Sequence, residues 1–195
     1  MIIPWKNFEH RWRKQLLSYA HGNVLEISPG TGENFKYYPL LVQVTATDIS
    51  ARMINVAKAE AMKCGVNAEF IVSPIEELNF AAHSFDTIVS TFLISDYESP
   101  AWVLNQFNRW CKPGGSVLLL EQGLSKYAPL RMVQRIWDGR YHKTSGSHIN
   151  RDIMGIVQES GLEIKKIERK AAGVIYMIWA LPVIDRLKET EDIML

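Results

Sequence analysis

Short apolar runs alternate with amphipathic stretches along most of this chain. The first run, residues 24–27, is broken by one acid and leads directly into a turn rich in Gly and Pro. Further strand-like runs occupy residues 42–47, 68–72, 86–92 and 116–120, and helical patterns occupy residues 51–63 and 99–111. Strands that alternate with helices predict an α/β fold built on a mostly parallel sheet.

The last third of the chain is predicted to close this sheet. Residues 122–151 are expected to be an irregular segment on the acceptor side, and Asn150 is expected to cap a helix that ends at Gly161. Residues 162–168 and 174–181 then indicate a hairpin of two strands. With 195 residues in all, we expect one domain.

An amphipathic helix is predicted over residues 5–20. Trp5, Phe8, Trp12, Leu16 and Tyr19 recur at spacings of three and four, which places them on one face. Basic side chains outnumber the acidic one in the same segment. Two interpretations stay open: a lid over a cofactor site, or a contact with an anionic membrane surface.

Composition narrows the class of protein. The formal charge of +1 argues against a general nucleic-acid binder, and 47% hydrophobic residues are enough for a real core. Cys64 and Cys111 lack metal-ligand spacing, so no metal site is expected. Because no signal peptide and no membrane-spanning run is evident, we expect a cytoplasmic protein, with a peripheral membrane contact left open.

The turn after the first strand is the best candidate for a ligand site. Strand, glycine turn and helix bring backbone N–H groups against a nucleotide-like ligand. Glu26 and Glu33 would repel the pyrophosphate of a dinucleotide, which argues against a nicotinamide dehydrogenase, and they suit a cation. Asp48, at the tip of the second strand, is placed to accept hydrogen bonds from ribose hydroxyls. An ordinary turn with glycines for packing remains an alternative.

The run Glu26-x-Ser28-x-Gly30-x-Gly32 resembles the first motif of the class I S-adenosylmethionine-dependent methyltransferases, with Ser28 in place of a glycine. Residues 73–80, 84–92 and 109–115 resemble three further motifs in the family's order, although Pro74 stands where an Asp is usual. The resemblance implies a three-layer Rossmann-like fold. Its seven-stranded sheet would have the order 3-2-1-4-5-7-6 and an antiparallel last strand.

The resemblance also implies S-adenosylmethionine as cofactor and S-adenosylhomocysteine as product. The cofactor contacts that it implies are Glu26, Ser28, Pro29, Gly30, Gly32, Asn34, Asp48, Ile49, Met53, Pro74, Ile75, Glu76, Thr91 and Phe92.

Residues 146–151, Gly-Ser-His-Ile-Asn-Arg, resemble a loop of small phospholipid and thiol methyltransferases related to the ubiquinone and menaquinone C-methyltransferases. A base is needed only where the acceptor carries a proton, and His148 and His142 are the candidates. The acceptor-side candidates are Tyr97, Trp12, Trp137 and Arg151.

The methyl acceptor is predicted less narrowly than the cofactor. A phospholipid amine is the leading expectation, because the relatives with the histidine loop handle lipids, residues 131–151 are rich in Arg and Lys, and the first helix is basic and aromatic. A thiol, a phenol or a quinone ring carbon is the alternative acceptor. A protein that binds S-adenosylmethionine without turnover is the alternative of another class.

Overall fold

The computed structural model describes residues 8–145 and 148–183. Trp5 of the predicted first helix and the first two residues of the 146–151 loop lie outside the described residues.

A single sheet of seven strands runs through the described part of the chain, in the order β3-β2-β1-β4-β5-β7-β6. The strands are β1 (Asn23–Ile27), β2 (Gln43–Asp48), β3 (Asn67–Val72), β4 (Phe85–Thr91), β5 (Cys111–Gln122), β6 (Leu162–Lys170) and β7 (Ile175–Pro182). The first five pair in parallel, and β7 is antiparallel to both of its neighbours. The predicted fold class, strand order and antiparallel last strand are therefore confirmed.

Helices cover both faces of the sheet. They are α1 (Glu9–Leu17), α2 (Ala51–Cys64), α3 (Pro100–Trp110), α4 (Ala128–Ser145) and α5 (Ile153–Glu159). Short 3-10 turns span Phe35–Tyr37, Ile75–Glu77, Ile94–Asp96 and Ala171–Gly173. Leu16 and Leu17 of α1 pack with Ala57 of α2 against one face of the sheet. Phe107 of α3 and Val157 of α5 belong to the core on the other face.

The ends of α2 follow from local chemistry. The Ser50 hydroxyl accepts a hydrogen bond from the Met53 N–H, which satisfies a donor that the first turn leaves free. Gly65 ends the helix in the left-handed conformation, with φ +67°. Both ends agree with the sequence pattern.

The prediction of an irregular segment over residues 122–151 is wrong, because most of it is α4. The buried side chains of this helix, Gln134 and Asp138, are polar. The sequence therefore lacks the periodic apolar stripe from which a helix is usually predicted. The predicted cap of the next helix is wrong as well. Asp152, not Asn150, accepts the hydrogen bond from the Gly155 N–H at the start of α5.

Candidate functional site

The carboxyl ends of the parallel strands meet at one edge of the sheet. Register pairs Ile27 of β1 with Thr47 of β2 and with Ser90 of β4, so the residues that follow these positions lie side by side. In open α/β sheets, ligands bind outside these strand ends. The glycine turn, Asp48 and Thr91 are all brought to this edge.

Two glycines of the turn have different surroundings. Gly30 and Gly32 both have positive φ, +56° and +82°. A Cβ added at Gly30 would meet none of the described atoms within 4 Å, whereas one at Gly32 would lie 2.8 Å from the Phe35 ring. Gly30 therefore leaves space for a ligand to approach the backbone, and Gly32 permits close packing. The residue arrangement fits a nucleoside ligand at Gly30.

Ser28 and Pro29 complete the turn. Ser28 adopts φ +50°, a left-handed conformation that a glycine would adopt without steric cost. Pro29 is buried, and its carbonyl accepts a hydrogen bond from the Gly32 N–H at 2.9 Å. The replacement of the family's first glycine thus leaves the turn conformation intact.

Asp48 stands at the end of β2 and is 7% exposed. Its Oδ1 accepts a hydrogen bond from the Ser50 N–H at 2.8 Å, which fixes the carboxylate at the strand end. Ile49 and Met53 beside it keep 71% and 36% of their surface exposed. This surface, next to a fixed carboxylate, suits a ligand that has both a ribose and a planar base.

The 73–80 stretch offers less to a ligand than its resemblance suggests. Ile75 is buried in the core, and Glu76 is exposed. The Pro74 carbonyl already accepts hydrogen bonds from the Ser73 hydroxyl and the Glu77 N–H. That carbonyl is engaged in the fold, so it is a poor substitute for the missing Asp side chain.

Glu26 is buried beneath the turn. Alternation along β1 turns its side chain to the same face as Val24, under α1. Its two carboxylate oxygens accept hydrogen bonds from the Asn34 amide at 2.7 Å and from the Tyr38 hydroxyl at 2.9 Å. Burial raises the pKa of Glu26, although these two bonds and the Arg13 charge oppose the rise. Glu26 therefore orients Asn34.

Arg13 ties α1 to the site. Its guanidinium donates to the Asn34 side-chain oxygen at 2.8 Å and to the Thr91 hydroxyl at 2.9 Å. It also lies 5.2 Å from the centroid of the Phe92 ring. Its Nε hydrogen-bonds none of the described residues. Arg13 is not part of the predicted apolar face of the helix, yet it is buried, with Trp12 half-buried beside it.

Glu121, at the end of β5, holds the loop that follows β4. Its carboxylate accepts hydrogen bonds from the Ser90 hydroxyl and from the N–H groups of Leu93 and Ile94, at 3.1–3.2 Å. It is fully buried, and burial raises its pKa to about 8. Phe92, just before these N–H groups, has φ +57°. Glu121 thus supports an unusual backbone conformation at the edge of the candidate site.

Tyr97 and Arg151 connect the two sides of the site. The Tyr97 side chain shares a hydrogen bond with Ser28 of the glycine turn, and burial raises the pKa of its hydroxyl. Arg151 donates from its guanidinium to the Tyr97 carbonyl at 3.3 Å. The Arg151 Nε is buried and bonds none of the described residues.

His148 is paired with a buried acid. Its Nδ1 lies 2.9 Å from Asp138 Oδ2, and the Ile149 N–H donates to Asp138 Oδ1 at 2.8 Å. Burial alone would raise the pKa of Asp138, but these hydrogen bonds outweigh it and lower that pKa. Because Nδ1 faces a carboxylate, the ring nitrogen Nε2 is the one available to take up a proton. His142 stacks on the His148 ring, with centroids 4.1 Å apart.

Other candidates lie away from this arrangement. Trp137 is 44% exposed on α4, one position before the inward-facing Asp138. Sequence reasoning missed Arg13, Tyr38, Glu121 and Asp138 as parts of the site. Two of these residues could have been found from the sequence. Glu121 is an acid at the end of an apolar strand, and Asp138 is the single acid of a basic helix.

Two kinds of site are not found in the described ranges. The His, Cys, Asp and Glu residues of residues 8–145 and 148–183 form no cluster that could hold a metal ion. Over the same residues, no helix has the length and apolar content needed to cross a membrane.

Comparison with known proteins adds to this picture. A family model described as a methyltransferase domain matches residues 25–119. The mitochondrial methyltransferase OMS1 of Saccharomyces cerevisiae is 30% identical over 190 residues, which cover 86% of this chain and 40% of that protein. A phosphatidylethanolamine N-methyltransferase of Cereibacter sphaeroides is 30% identical over 157 residues, which cover 80% of this chain and 77% of the relative.

A solved structure has a similar fold. Geranyl diphosphate methyltransferase in complex with SAM matches with a TM-score of 0.73 and 12% identity, over 91% of this chain and 86% of that one. At this identity the likeness concerns the fold alone. The chain spans less than half of the yeast relative and most of the Cereibacter one, at 40% and 77% of their lengths.

Proposed function

This chain belongs to the class I S-adenosylmethionine-dependent methyltransferases, and from that premise we propose that it methylates the amine of a phospholipid headgroup. The observation that carries the proposal is the pair formed by Asp138 of α4 and His148 of the following loop, which Arg151 joins to Tyr97 on the proposed cofactor side. This arrangement supplies a proton acceptor and a cation for a headgroup that has both an ammonium and a phosphate.

The residues at the strand ends are suited to hold the cofactor. Asp48 would accept hydrogen bonds from the ribose hydroxyls, and the exposed side chains of Ile49 and Met53 would cover the base. Gly30 leaves room for the ligand beside the backbone. The Arg13 guanidinium donates to Thr91 at this edge and suits the cofactor's carboxylate, although its Nε also lies 3.6 Å from the Glu33 carboxylate. When bound, S-adenosylmethionine supplies a methyl group already activated on sulfur.

His148 prepares the acceptor. A phospholipid amine is protonated at neutral pH and has no lone pair for attack until the proton leaves. Asp138 holds the ring with Nδ1 towards its carboxylate, so Nε2 takes this proton, and the charge that forms is stabilised by Asp138. The remaining requirement is alignment of donor and acceptor with water excluded.

Arg151 is suited to the headgroup phosphate. A guanidinium presents donors in a planar fork that matches phosphate oxygens, and the Nε of Arg151 has no bond to the described residues. The Cereibacter relative is a phosphatidylethanolamine N-methyltransferase. Both the side chain and the relative favour a phosphate-bearing amine over a thiol, a phenol or a quinone ring carbon.

Helix α1 is proposed as a lid. Leu16 and Leu17 anchor it in the core, and Arg13 reaches Asn34 and Thr91 at the edge of the site. A helix fixed in this way covers the cofactor site and excludes water from it. Its membrane role, the other interpretation of its pattern, is not needed to explain its position.

Methyl transfer to lipid tests the proposal. The protein is incubated with methyl-labelled S-adenosylmethionine and detergent-dispersed phosphatidylethanolamine, and in parallel with a soluble thiol, a phenol and a quinone precursor. Label in the lipid is expected. Label only in another acceptor would overturn the lipid assignment, and binding of cofactor without any turnover would mark a non-catalytic protein.

The role of His148 has its own variant. His148→Gln is expected to lower turnover by about 10²–10⁴-fold and to recover part of it as pH rises, because the amine then loses its proton in solution. His142→Gln tests the second candidate base in the same assay and is expected to lower turnover less, because the hydrogen bond to Asp138 belongs to His148. Equal turnover of His148→Gln and the unmodified protein would remove the base from the mechanism.

A further inference from the structure

Helix α4 presents apolar side chains to its surroundings. Met132 and Ile136 are 66% and 69% exposed, and Val133 and Trp137 are 46% and 44% exposed. Spacings of one, three and four place all four on one face of the helix, which we call the outer face. Isolated exposed apolar residues are ordinary, whereas a helical face of four neighbouring ones calls for a partner.

The opposite face of the same helix is polar and buried. Gln134 accepts a hydrogen bond from the Ser125 N–H at 2.8 Å and donates to the carbonyls of Gly123 and Ile149 at 3.0 and 2.9 Å. Asp138, one turn further on, is held by the Ile149 N–H and by His148. These bonds fix the rotation of α4 about its axis. An ordinary surface helix buries its apolar face and exposes its polar face, whereas α4 buries polar side chains and exposes apolar ones. The outer face is therefore kept outward.

Charge indicates what the outer face meets. The basic residues of α4 are Arg131, Arg135, Arg140 and Lys143. Arg135, Arg140 and Lys143 are exposed, and the Arg140 guanidinium lies 5.8 Å from the Trp137 ring centroid. The single acid of the helix, Asp138, is turned inward and engaged. Apolar side chains among exposed cations, with no acid, complement a layer of anionic headgroups above acyl chains.

We infer that the outer face of α4 docks on a lipid surface that contains anionic phospholipids. The helix lies in the interface and does not span the membrane, since no helix of the described ranges is long and apolar enough to do so. The choice of a lipid surface rests on the proposed function. It also explains how a headgroup meets the site, because the inner face of the docked helix carries the acid that holds His148.

Vesicle flotation tests the docking. We expect the protein to float with vesicles of phosphatidylcholine mixed with phosphatidylglycerol at low salt, and to dissociate as salt rises. The Met132→Ser/Ile136→Ser double variant should bind at least about tenfold more weakly, because two exposed apolar side chains are lost from the contact. The matched control is Leu40→Ser/Leu41→Ser, which removes two apolar side chains that are 97% and 93% exposed outside α4; it should bind like the unmodified protein.

The outcomes separate docking from chemistry. Flotation without labelling of phosphatidylethanolamine would leave the docking and overturn the proposed acceptor. Labelling of detergent-dispersed lipid without flotation at low salt would leave the acceptor and overturn the docking. Equal weakening in both double variants would also overturn it. A dimer in sedimentation that dissociates only in the α4 variant, together with no flotation, would assign the outer face to a second copy of the chain.

Discussion

The cofactor half and the acceptor half of this site are built in opposite ways. The cofactor half consists of strand ends and a turn, residues 26–34 and 48–53, over an apolar core. The acceptor half, residues 121–151, is positioned by buried polar side chains, among them Glu121, Gln134 and Asp138. The candidate site thus combines a turn whose backbone is open to a ligand at Gly30 with a support made by hydrogen bonds.

The largest expected effect is a loss of cofactor binding, and a pair of glycine variants separates the space for a ligand at Gly30 from the tight packing at Gly32. Gly30→Val should abolish cofactor binding and leave a folded protein, because its side chain enters the space beside the turn. Gly32→Val should instead destabilise the fold, since its Cβ lies 2.8 Å from the Phe35 ring; overpacking of this kind costs about 1–3 kcal/mol. Both positions have positive φ, so backbone strain is common to the pair.

Calorimetry with S-adenosylhomocysteine and thermal unfolding are the two measurements for this pair. Retained affinity in folded Gly30→Val would remove that glycine from the ligand site. Equal thermal stability of both variants would show that the contact at Gly32 is not tight.

The second effect is a pH dependence that originates in the acceptor half. Burial raises the pKa of Glu121 from 4.5 to about 8. Its contribution to the free energy of unfolding is complete below the unfolded pKa and is lost as pH rises through the folded pKa. Stability should therefore decrease between about pH 4.5 and pH 8, by way of this carboxyl group, and level off above that range.

Glu121→Gln keeps the shape of the side chain and cannot ionise. Denaturant unfolding at a series of pH values should show a flatter profile for this variant between about pH 4.5 and pH 8 than for the unmodified protein. Parallel profiles would mean that the buried carboxyl does not titrate in this range.

The smallest effect compares one helix cap from each half. Ser50→Ala in the cofactor half and Asp152→Ala in the acceptor half each remove a side-chain acceptor from a helix N-terminus, and each should cost about 1 kcal/mol of stability. Asn150→Ala is the control, because the cap of α5 is Asp152. A larger loss for Asn150→Ala than for Asp152→Ala in thermal unfolding would contradict this assignment.

The contrast between a half built on local backbone patterns and a half built on buried polar contacts explains which elements the sequence predicts. Apolar periodicity, Ser50, Gly65 and the ordered motifs indicate the strands, α2 and the strand order, because each is a local signal over a few residues. The polar contacts of Gln134 and Asp138 have no such signal, so α4 was predicted as an irregular segment. The basic and aromatic composition of residues 122–151 indicates an acceptor-binding segment more clearly than it indicates a helix.

The direction of individual side chains is the second feature that the sequence does not predict. The predicted apolar face of the first helix does not include Arg13, yet contacts with Asn34 and Thr91 bury it. Glu26 is predicted at the cofactor, and alternation along β1 brings its carboxylate to Asn34 and Tyr38 beneath the turn. In both cases the residue type was informative, and its partner, 21 and 8 positions away, was not evident from spacing.

The central claim is that S-adenosylmethionine binds at the strand ends beside Asp48, and calorimetric titration tests it most directly. We expect the folded protein to bind S-adenosylmethionine and S-adenosylhomocysteine with micromolar affinity. Asp48→Ala should lose about 1.5–3 kcal/mol of binding free energy, as expected for hydrogen bonds to a charged acceptor. No heat with either ligand on folded protein, or unchanged affinity in Asp48→Ala, would contradict the claim.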